Sequence, residues 1–384
     1  MRKQGEQHMN KKEMKDLVCQ RVDALSPVIR GIADYLHAHP ELGEHEVLAS
    51  SYLRQILSDH GFAVEDIVAE RFPTAFHGSF GAGSFQMGFL AEYDALPKIG
   101  HGCGHNLIAA MSIGAALAFS AVSGNQATVH VYGCPAEETA GSKVYMSDHG
   151  VFDGLDAAVI IHPGIDKTMI GGTSYASHPL EFVFSGQAAH IADPAGRGVN
   201  ALDSLVDFYG RLKELERSFK ERHLLGAIIT EGGTAPNIVP DRAVLRATIR
   251  ALDTDYLERV MLPEIRALAE SVSAAHGTTL AMNHYEPLYK DMRSDAKMDV
   301  YFADAFNALH EEFGVWDDDY AEGSTDVGNV SYVTRVSQPE ICIAYDMAAH
   351  TDAFAQAAGS DLGHMQALVG AKAMAMVAID VMLE

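Results

Sequence analysis

The segment His101-Gly-Cys-Gly-His105 places a thiol and two imidazole rings within five residues of chain. Its glycines permit turns that residues with a Cβ resist, so Cys103 and His105 can approach a common point. Sixteen apolar or small residues, 107–122, follow; they are too few to span a bilayer comfortably and predict a buried helix. A thiolate beside a neutral imidazole suits Zn²⁺, whereas carboxylate ligands would favour Mn²⁺ or Co²⁺. The structural alternative is a glycine-rich turn with a buried cysteine and a surface histidine.

Length and composition narrow the class of protein. A chain of 384 residues, 48% of them apolar, exceeds the usual size of one hydrophobic core and predicts two domains. The formal charge of −24 disfavours nucleic acid and anionic membranes as partners. Four scattered cysteines are too few for a disulfide framework, and residues 1–15 lack the apolar core of a signal peptide. We therefore expect a globular protein of the reducing cytoplasm.

Helical and strand patterns alternate through both ends of the chain. Apolar residues at helical spacing over 12–38 and again from Leu48 to Ile56 predict helices. The predicted strands of this region are Gln86–Ala91, Thr128–Cys134, Ala157–His162 and Glu340–Tyr345, with further helices over Val300–Phe313 and Gly363–Leu383. This alternation predicts an α/β fold: a mainly parallel sheet sandwiched by helices.

The pattern changes between residues 177 and 288. Strands are predicted over Leu180–Ser185, His223–Thr230, Arg242–Ala251 and Thr279–Leu288, with helices over Ala201–Phe219 and Tyr256–Ala275. That content predicts a separate α+β domain. We therefore expect a discontinuous catalytic domain, 1–176 and 289–384, interrupted by an inserted lid or dimerisation domain, 177–288.

Residues able to bind metal lie at or near the ends of predicted strands. Glu137 and Glu138 follow one strand, His162 ends another, and His350 follows a third. Open α/β sheets bind ligands at this edge. Adjacent side chains diverge, so one glutamate can ligate metal while the other acts as general base on water. Taken singly, each is more often an exposed acid or a structural histidine; together with Cys103 and His105 they supply enough ligands for two metal ions.

The inserted segment contributes donors of another kind. His190 follows a predicted strand, and Asn237 and Arg250 lie further along. An imidazole, an amide and a guanidinium are groups that bind an oxyanion or a substrate carboxylate. A surface or capping role is the alternative for each of them.

Seven motifs in order give the chain its resemblance to a known family. They are HPELGEHE (39–46), EYDALPKIGHGCGHN (92–106), PAEE (135–138), GQAAH (186–190), GGTAPNIVP (232–240), GSTDVGNVS (323–331) and AAHTD (348–352). The sequence resembles the co-catalytic metallopeptidases and amidohydrolases that include aminoacylases, glutamate carboxypeptidases and indole-acetyl-amino-acid hydrolases. Glu92 and Asn106, where many relatives carry aspartate, favour the p-aminobenzoyl-glutamate hydrolase and dipeptidase-like branch.

The resemblance implies a role for each candidate residue. It implies two divalent ions, Zn or Mn with Co possible, and Glu137 as general base. It further implies His190 as an oxyanion donor, in its own subunit or across an interface, and Asn237 and Arg250 as carboxylate binders. Asp94 would orient a ligand. The implied metal ligands are Cys103, His105, Glu138, His162 and His350.

The predicted function is hydrolysis of the amide bond in N-acyl, N-aroyl or aminoacyl amino acids with a free carboxylate, in a homodimer or higher homo-oligomer. A dipeptidase or carboxypeptidase of the same mechanism is the first alternative. A thiol hydrolase with Cys103 as nucleophile would leave Glu138, His162 and His350 without a role. A non-catalytic metal-binding subunit would not need to retain Glu137.

Overall fold

The computed structural model describes residues 9–317, 320–321 and 323–384. The helices before residue 173 are α1 (Lys11–Ala24), α2 (Ser26–Ala38), α3 (Val47–Asp59), α4 (His105–Ser123) and α5 (Ser142–Asp148). The strands there are β1 (Ala63–Asp66), β2 (Phe76–Gly81), β3 (Phe85–Glu92), β4 (Ala127–Cys134), β5 (Ala157–Val159), β6 (His162–Ile165) and β7 (Thr168–Ile170).

Strands dominate the middle of the chain, and helices return after it. The middle strands are β8 (Ala176–Ser185), β9 (Ala189–His190), β10 (His223–Glu231), β11 (Ile238–Val239), β12 (Arg242–Ala251) and β13 (Thr279–His284). The helices there are α6 (Ala201–Glu216), α7 (Thr254–Tyr256) and α8 (Leu262–His276). A π-helical turn, Leu257–Met261, joins α7 to α8. The last elements are α9 (Ala296–Ala308), β14 (Phe313–Val315), α10 (Val327–Val330), β15 (Val336–Ser337), β16 (Glu340–Ala344), α11 (Asp352–Ala358) and α12 (Asp361–Met382).

A six-stranded sheet in the order β1-β2-β4-β3-β5-β15 positions the chemistry. The β4-β3-β5-β15 part is parallel, and β1 and β2 extend it with antiparallel pairs. Glu92, the last residue of β3, is opposite Cys134, the last residue of β4, so the loops that follow start side by side. The predicted α/β fold class is confirmed. The sheet is mixed because β1 and β2, two strands that the sequence analysis missed, pair antiparallel.

Helices α4 and α12 pack against each other in the core. Both are long and apolar enough to cross a membrane by length and composition, but 89% and 72% of their apolar windows are buried inside the protein. Small residues allow the close approach: a Cβ at Gly370 would lie 2.2 Å from the sulfur of Met111. Within the structure, both are core helices of a folded domain.

The chain divides into two compact units, each described by itself. Unit 1 comprises Met1–Gly172, Arg293–Tyr320 and Asn329–Glu384; unit 2 comprises Thr173–Met292 and Ala321–Gly328. In unit 2, α6 and α8 share one apolar core with the antiparallel sheet β10-β12-β8-β13. The predicted boundaries at 176/177 and 288/289 lie four residues from those of the structure. Segment 321–328 belongs to unit 2, where the prediction placed it in the catalytic domain; its Gly323 carbonyl accepts the N–H of Tyr175.

Two predicted helices differ from the structure. The helix over 12–38 is two helices, because Pro27 favours a new first turn after Leu25. The helix predicted to reach Phe313 ends at Ala308, since His310 adopts a φ of +59°, and Phe313 begins β14.

His162 was also wrongly placed, at the end of a strand. His162 begins β6 instead. Strand β5 pairs with β15, whereas β6 pairs with β16, and the chain is interrupted at Pro339 between β15 and β16. The ring therefore lies where two sheets separate.

Asp380 links the first and last helices of unit 1. Its carboxylate is buried and pairs with Lys15 and, at 2.6 Å, with Lys11, both of α1. Asp23 and Lys372 also join α1 to α12, at 2.6 Å, but 60% of the Asp23 side chain is exposed.

We predict that Asp380→Asn lowers the free energy of unfolding by ~3 kcal/mol, because it leaves Lys15 without its buried countercharge. The matched variant Asp23→Asn should cost less than about 1 kcal/mol, since water screens an exposed pair. Urea denaturation of both variants measures the difference. Equal effects would show that burial does not decide the strength of these pairs.

Candidate metal centre

The turn into α4 brings Cys103 and His105 to the same place. Gly104 has a φ of +81° and caps the helix, so the chain enters α4 directly after Cys103. A Cβ at Gly104 would lie 2.7 Å from Cγ of Pro163, the neighbour of His162. Both the positive φ and this close approach require glycine. The result is a buried thiol and a buried imidazole two residues apart.

Hydrogen bonds fix which nitrogen each buried histidine presents. Nδ1 of His105 lies 2.9 Å from Oδ1 of Asp94, and Nδ1 of His162 lies 2.8 Å from the carbonyl of Pro163. Because both partners accept, both Nδ1 atoms donate, and in the neutral ring, the form that binds metal, each Nε2 keeps its lone pair. Nε2 of His162 is 3.4 Å from Sγ of Cys103. Rings held in this way are typical of metal-ligating histidines.

Glu137, Glu138 and His350 approach the same donors from two other loops. Oε1 of Glu138 lies 3.4 Å from Nε2 of His350 and 3.9 Å from Nε2 of His105. Oε2 of Glu137 lies 4.0 Å from Nε2 of His105. His350, half exposed and with a φ of +60°, is held by its backbone N–H, which donates to the Gly102 carbonyl at 2.9 Å.

These atoms form overlapping sets that can hold metal ions. One set is Cys103, His105 and His162, a second is Cys103, Glu138 and His350, and a third is His105, Glu137 and Glu138. Within each set the ligand atoms lie within 4.8 Å of one another. Because the first two sets share only the Cys103 sulfur, the donors fit two neighbouring cations.

Two buried polar atoms also point to a cation. Among the described residues, Nε2 of His105 and Oε1 of Glu138 have no hydrogen-bond partner. A buried polar atom without a partner costs free energy, and native sites supply a partner, water or ion. Thiolate, imidazole and carboxylate are ligands that Zn²⁺ accepts, so the residues present fit a divalent metal.

Burial and neighbouring charges shift the pKa values of the donors. Burial lowers the pKa of His105, but Asp94 and Cys103 more than offset this and leave it well above its ordinary value. Burial raises the pKa of Glu138, yet His350 and His105 bring it below its usual range. Burial raises the pKa of the Cys103 thiol far above normal. Without a metal ion this keeps the thiol protonated, and a protonated thiol is a poor nucleophile, which counts against the metal-independent thiol hydrolase alternative.

Glu46 supports the centre from outside, a role that the sequence analysis missed. Its buried carboxylate accepts the N–H of Ala136 at 2.8 Å, the N–H of Glu44 at 3.1 Å and the hydroxyl of Thr74 at 2.9 Å. Ala136 has a φ of +57°, so these bonds stabilise the turn that presents Glu137 and Glu138. Burial, with Asp94 nearby, raises the pKa of Glu46 to about 7. Its place in the 39–46 motif was the available signal.

The structure also shows where the remaining predicted site residues lie: Asp94 in unit 1, and three residues in unit 2. Asp94 is buried, with Oδ1 on His105 and Oδ2 accepting the N–H of Glu138 at 3.0 Å. In unit 2, β9 pairs with β11, and the Ile191 N–H donates to the Asn237 carbonyl at 3.0 Å, which brings the His190 and Asn237 segments together. Arg250 lies apart from that ribbon, on β12 opposite Leu224 and Ser177.

Comparison with known proteins identifies the family. Residues 173–275 match M20_dimer, described as the peptidase dimerisation domain. The sequence is 31% identical to Xaa-Arg dipeptidase of Mus musculus, over 97% of this chain and 89% of that protein. The chain belongs to the M20 family. Members are metal-dependent peptidases and amidohydrolases, so this chain is a hydrolase of amide bonds, as the motifs predicted.

Two further relatives agree with the predicted branch and fold. A p-aminobenzoyl-glutamate hydrolase subunit of Escherichia coli K12 is 32% identical over 65% of this chain and 56% of its own length. The Bacillus subtilis YxeP protein, described as a dinuclear metal-binding peptidase of this family, superposes with a TM-score of 0.72 at 19% identity, covering 94% of this chain and 99% of YxeP. The dipeptidase and aminobenzoyl-glutamate relatives bear out the predicted resemblance.

Gly104→Ala tests whether the turn sets the metal site. We predict that it weakens Zn²⁺ binding by ~10-fold or more, because strain and the Pro163 contact must shift Cys103 or His105. Gly124→Ala, at the other end of α4, has a similar φ of +59° and nothing within 4 Å of the new Cβ. Because its ψ of −131° puts Gly124 in a backbone region that other residues rarely adopt, the variant should lose roughly 1–3 kcal/mol of stability, yet it should keep Zn²⁺ affinity. Calorimetric titration with Zn²⁺ decides between the two; unchanged affinity in Gly104→Ala would contradict the prediction.

Proposed function

We propose that the protein is a dipeptidase that releases a carboxyl-terminal amino acid, with a preference for a cationic leaving residue. The convergence of Cys103, His105, Glu138, His162 and His350 supports the hydrolytic part. The preference draws on the similarity to Xaa-Arg dipeptidase and on the net charge of −24, which attracts cations. Cleavage of aroyl-glutamate is the second candidate, favoured by the E. coli relative.

The two adjacent glutamates have different roles in the proposed reaction. Two divalent cations, when bound, supply the positive charge that lowers the pKa of water and polarises the scissile carbonyl. Glu138 helps to hold them, together with the thiolate and the three histidines. Glu137 takes the proton of the attacking water and delivers it to the leaving nitrogen, so the amide bond breaks as the amine forms. Asp94 keeps the proton of His105 on Nδ1 throughout.

The donors of unit 2 are proposed to bind the substrate. Nδ1 of His190 accepts the N–H of Ala192 at 3.1 Å, so the neutral ring carries its proton on Nε2. The exposed ring can therefore donate Nε2–H to an oxyanion. Asn237 and Arg250 supply the amide and guanidinium for the free carboxylate.

Metal identity, assembly and compartment complete the proposal. We propose Zn²⁺ or Mn²⁺, with Co²⁺ able to substitute, because the donors combine thiolate, imidazole and carboxylate. A homodimer would cover the outer edge of β10, where Leu224, Ile228 and Ile229 are exposed on a strand paired only with β12 in its sheet. The four cysteines are free, which favours a reducing cytoplasm.

Glu137→Gln and Glu138→Gln separate the two roles. Glu137→Gln should lower kcat by about 10²-fold to 10⁴-fold with metal content unchanged, because the general base is lost. Glu138→Gln should lose metal affinity by ~10-fold or more, because a ligand is neutralised. Metal analysis after dialysis and initial rates at saturating metal measure both effects. A near-normal rate in Glu137→Gln would remove the base assignment.

A substrate panel tests the proposed specificity. Ala-Arg, Ala-Lys, Ala-Glu, N-acetyl-alanine and p-aminobenzoyl-glutamate are compared at equal concentration with Zn²⁺, Mn²⁺ or Co²⁺ added. We expect the two cationic dipeptides to have the highest kcat/KM, and chelation to abolish turnover reversibly. Highest turnover of p-aminobenzoyl-glutamate would favour the second candidate. Activity that survives chelation but not thiol alkylation would support the thiol hydrolase, and no activity on any amide would support the non-catalytic alternative.

A further inference from the structure

A buried ion pair lies beside the candidate metal ligands. Nζ of Lys143, on α5, is 2.7 Å from Oε1 of Glu92, the last residue of β3. The side chains are 0% and 1% exposed. The other carboxylate oxygen of Glu92, Oε2, is 3.6 Å from Nε2 of His105. That Nε2 carries the lone pair assigned above to metal.

Glu92 is therefore shared between a cation of the protein and the metal centre. Its Oε1 faces an ammonium group, and its Oε2 faces the atom by which His105 would hold a metal ion. Because the pair is buried, water screens its charges weakly. A change in the charge of either residue therefore changes the electrostatic potential at Nε2 of His105. Removal of the positive charge there would favour a divalent ion, and removal of the negative charge would disfavour one.

We propose that Lys143 is a positioning residue that neutralises and orients Glu92, and that the pair thereby sets the metal affinity of the centre. Lys143 fixes Oε1, which leaves Oε2 beside His105 without contributing net charge. The centre then binds cations through its own ligands, and its affinity is held below what an additional unpaired carboxylate would give. This inference rests on the proposed role of His105 as a metal ligand.

An ion pair that only stabilises the fold makes a different prediction. Removing either partner would leave a buried charge, loosen the α5 and β3 ends, and weaken metal binding in both variants. If the pair tunes the centre, the two single variants must act in opposite directions, because they change the local charge with opposite signs. The double variant must cancel them.

Cobalt titration distinguishes these cases without any activity assay. Co²⁺ is titrated into metal-free protein at pH 8, followed by visible absorption, with a competing chelator to fix the affinity. Lys143→Met should bind Co²⁺ about 10-fold more tightly, and Glu92→Gln about 10-fold more weakly, the scale on which outer partners of metal ligands act. The double variant should return to within about 3-fold of the parent protein. In Lys143→Met the absorption spectrum should also change, since the Glu92 carboxylate is no longer held through Oε1 and can turn to ligate the metal ion.

Controls keep the result interpretable. Asp380→Asn removes another buried carboxylate of unit 1, one whose partners belong to α1, and should leave Co²⁺ affinity unchanged. If Lys143→Met does not fold by itself, adding it to the Glu92→Gln protein removes the positive charge that Glu92→Gln leaves behind; it should tighten Co²⁺ binding by about 10-fold relative to Glu92→Gln alone. Weakening in both single variants, or unchanged affinity and spectrum in both, would overturn the proposal. Failure of the parent protein to bind Co²⁺ would instead overturn the metal assignment itself.

Discussion

Concentrated negative charge at the ends of β3 and β4 is the constraint that organises unit 1. Glu46, Glu92 and Asp94 are buried, and Glu137 and Glu138 are nearly so. Carboxylates in such numbers are stable only when protons, hydrogen-bond donors or cations offset their desolvation. The structure supplies donors for Glu46 and Asp94 and an ammonium for Glu92. The remaining charge faces Cys103 and the histidine rings, where a divalent cation is the partner that fits.

The fold brings together loops from distant parts of the chain, and these loops carry the candidate metal ligands. The parallel register of β3 with β4 ends both strands together, and α4 begins with a ligand as its first residue. His350 reaches the site through a backbone hydrogen bond to Gly102, more than two hundred residues earlier in the chain. The core of α4 and α12 fixes the scaffold, and the turns at Ala136 and His350 adopt a left-handed backbone that non-glycine residues keep only in rigid surroundings.

The sequence predicted the candidate site well where a local pattern of residue types is typical of one kind of chemistry. Glycines around a thiol and an imidazole, and two glutamates after a strand, predicted residues that the structure brings within a few ångströms. The hydrophobic pattern failed where pairing with distant strands sets the end of an element. β5 and β6 were predicted as one apolar strand, because the break between them depends on Pro339, which lies on a different segment. Lys143 gave no signal, since a lone lysine in a helix normally faces solvent. Its partner Glu92 was noticed as a departure from relatives, but not as the partner of a lysine.

The division into two units explains why the reaction was easier to infer than the substrate. Water activation and proton transfer need only donors that unit 1 holds, and those donors act on any amide carbonyl. The residues proposed to bind the substrate, His190, Asn237 and Arg250, belong to unit 2 and are individually ordinary in sequence. Each is a common surface residue until a small ribbon or a sheet register places it. Chains that share the metal donors can therefore differ in the amino acid they release, because the metal donors by themselves do not recognise the leaving side chain.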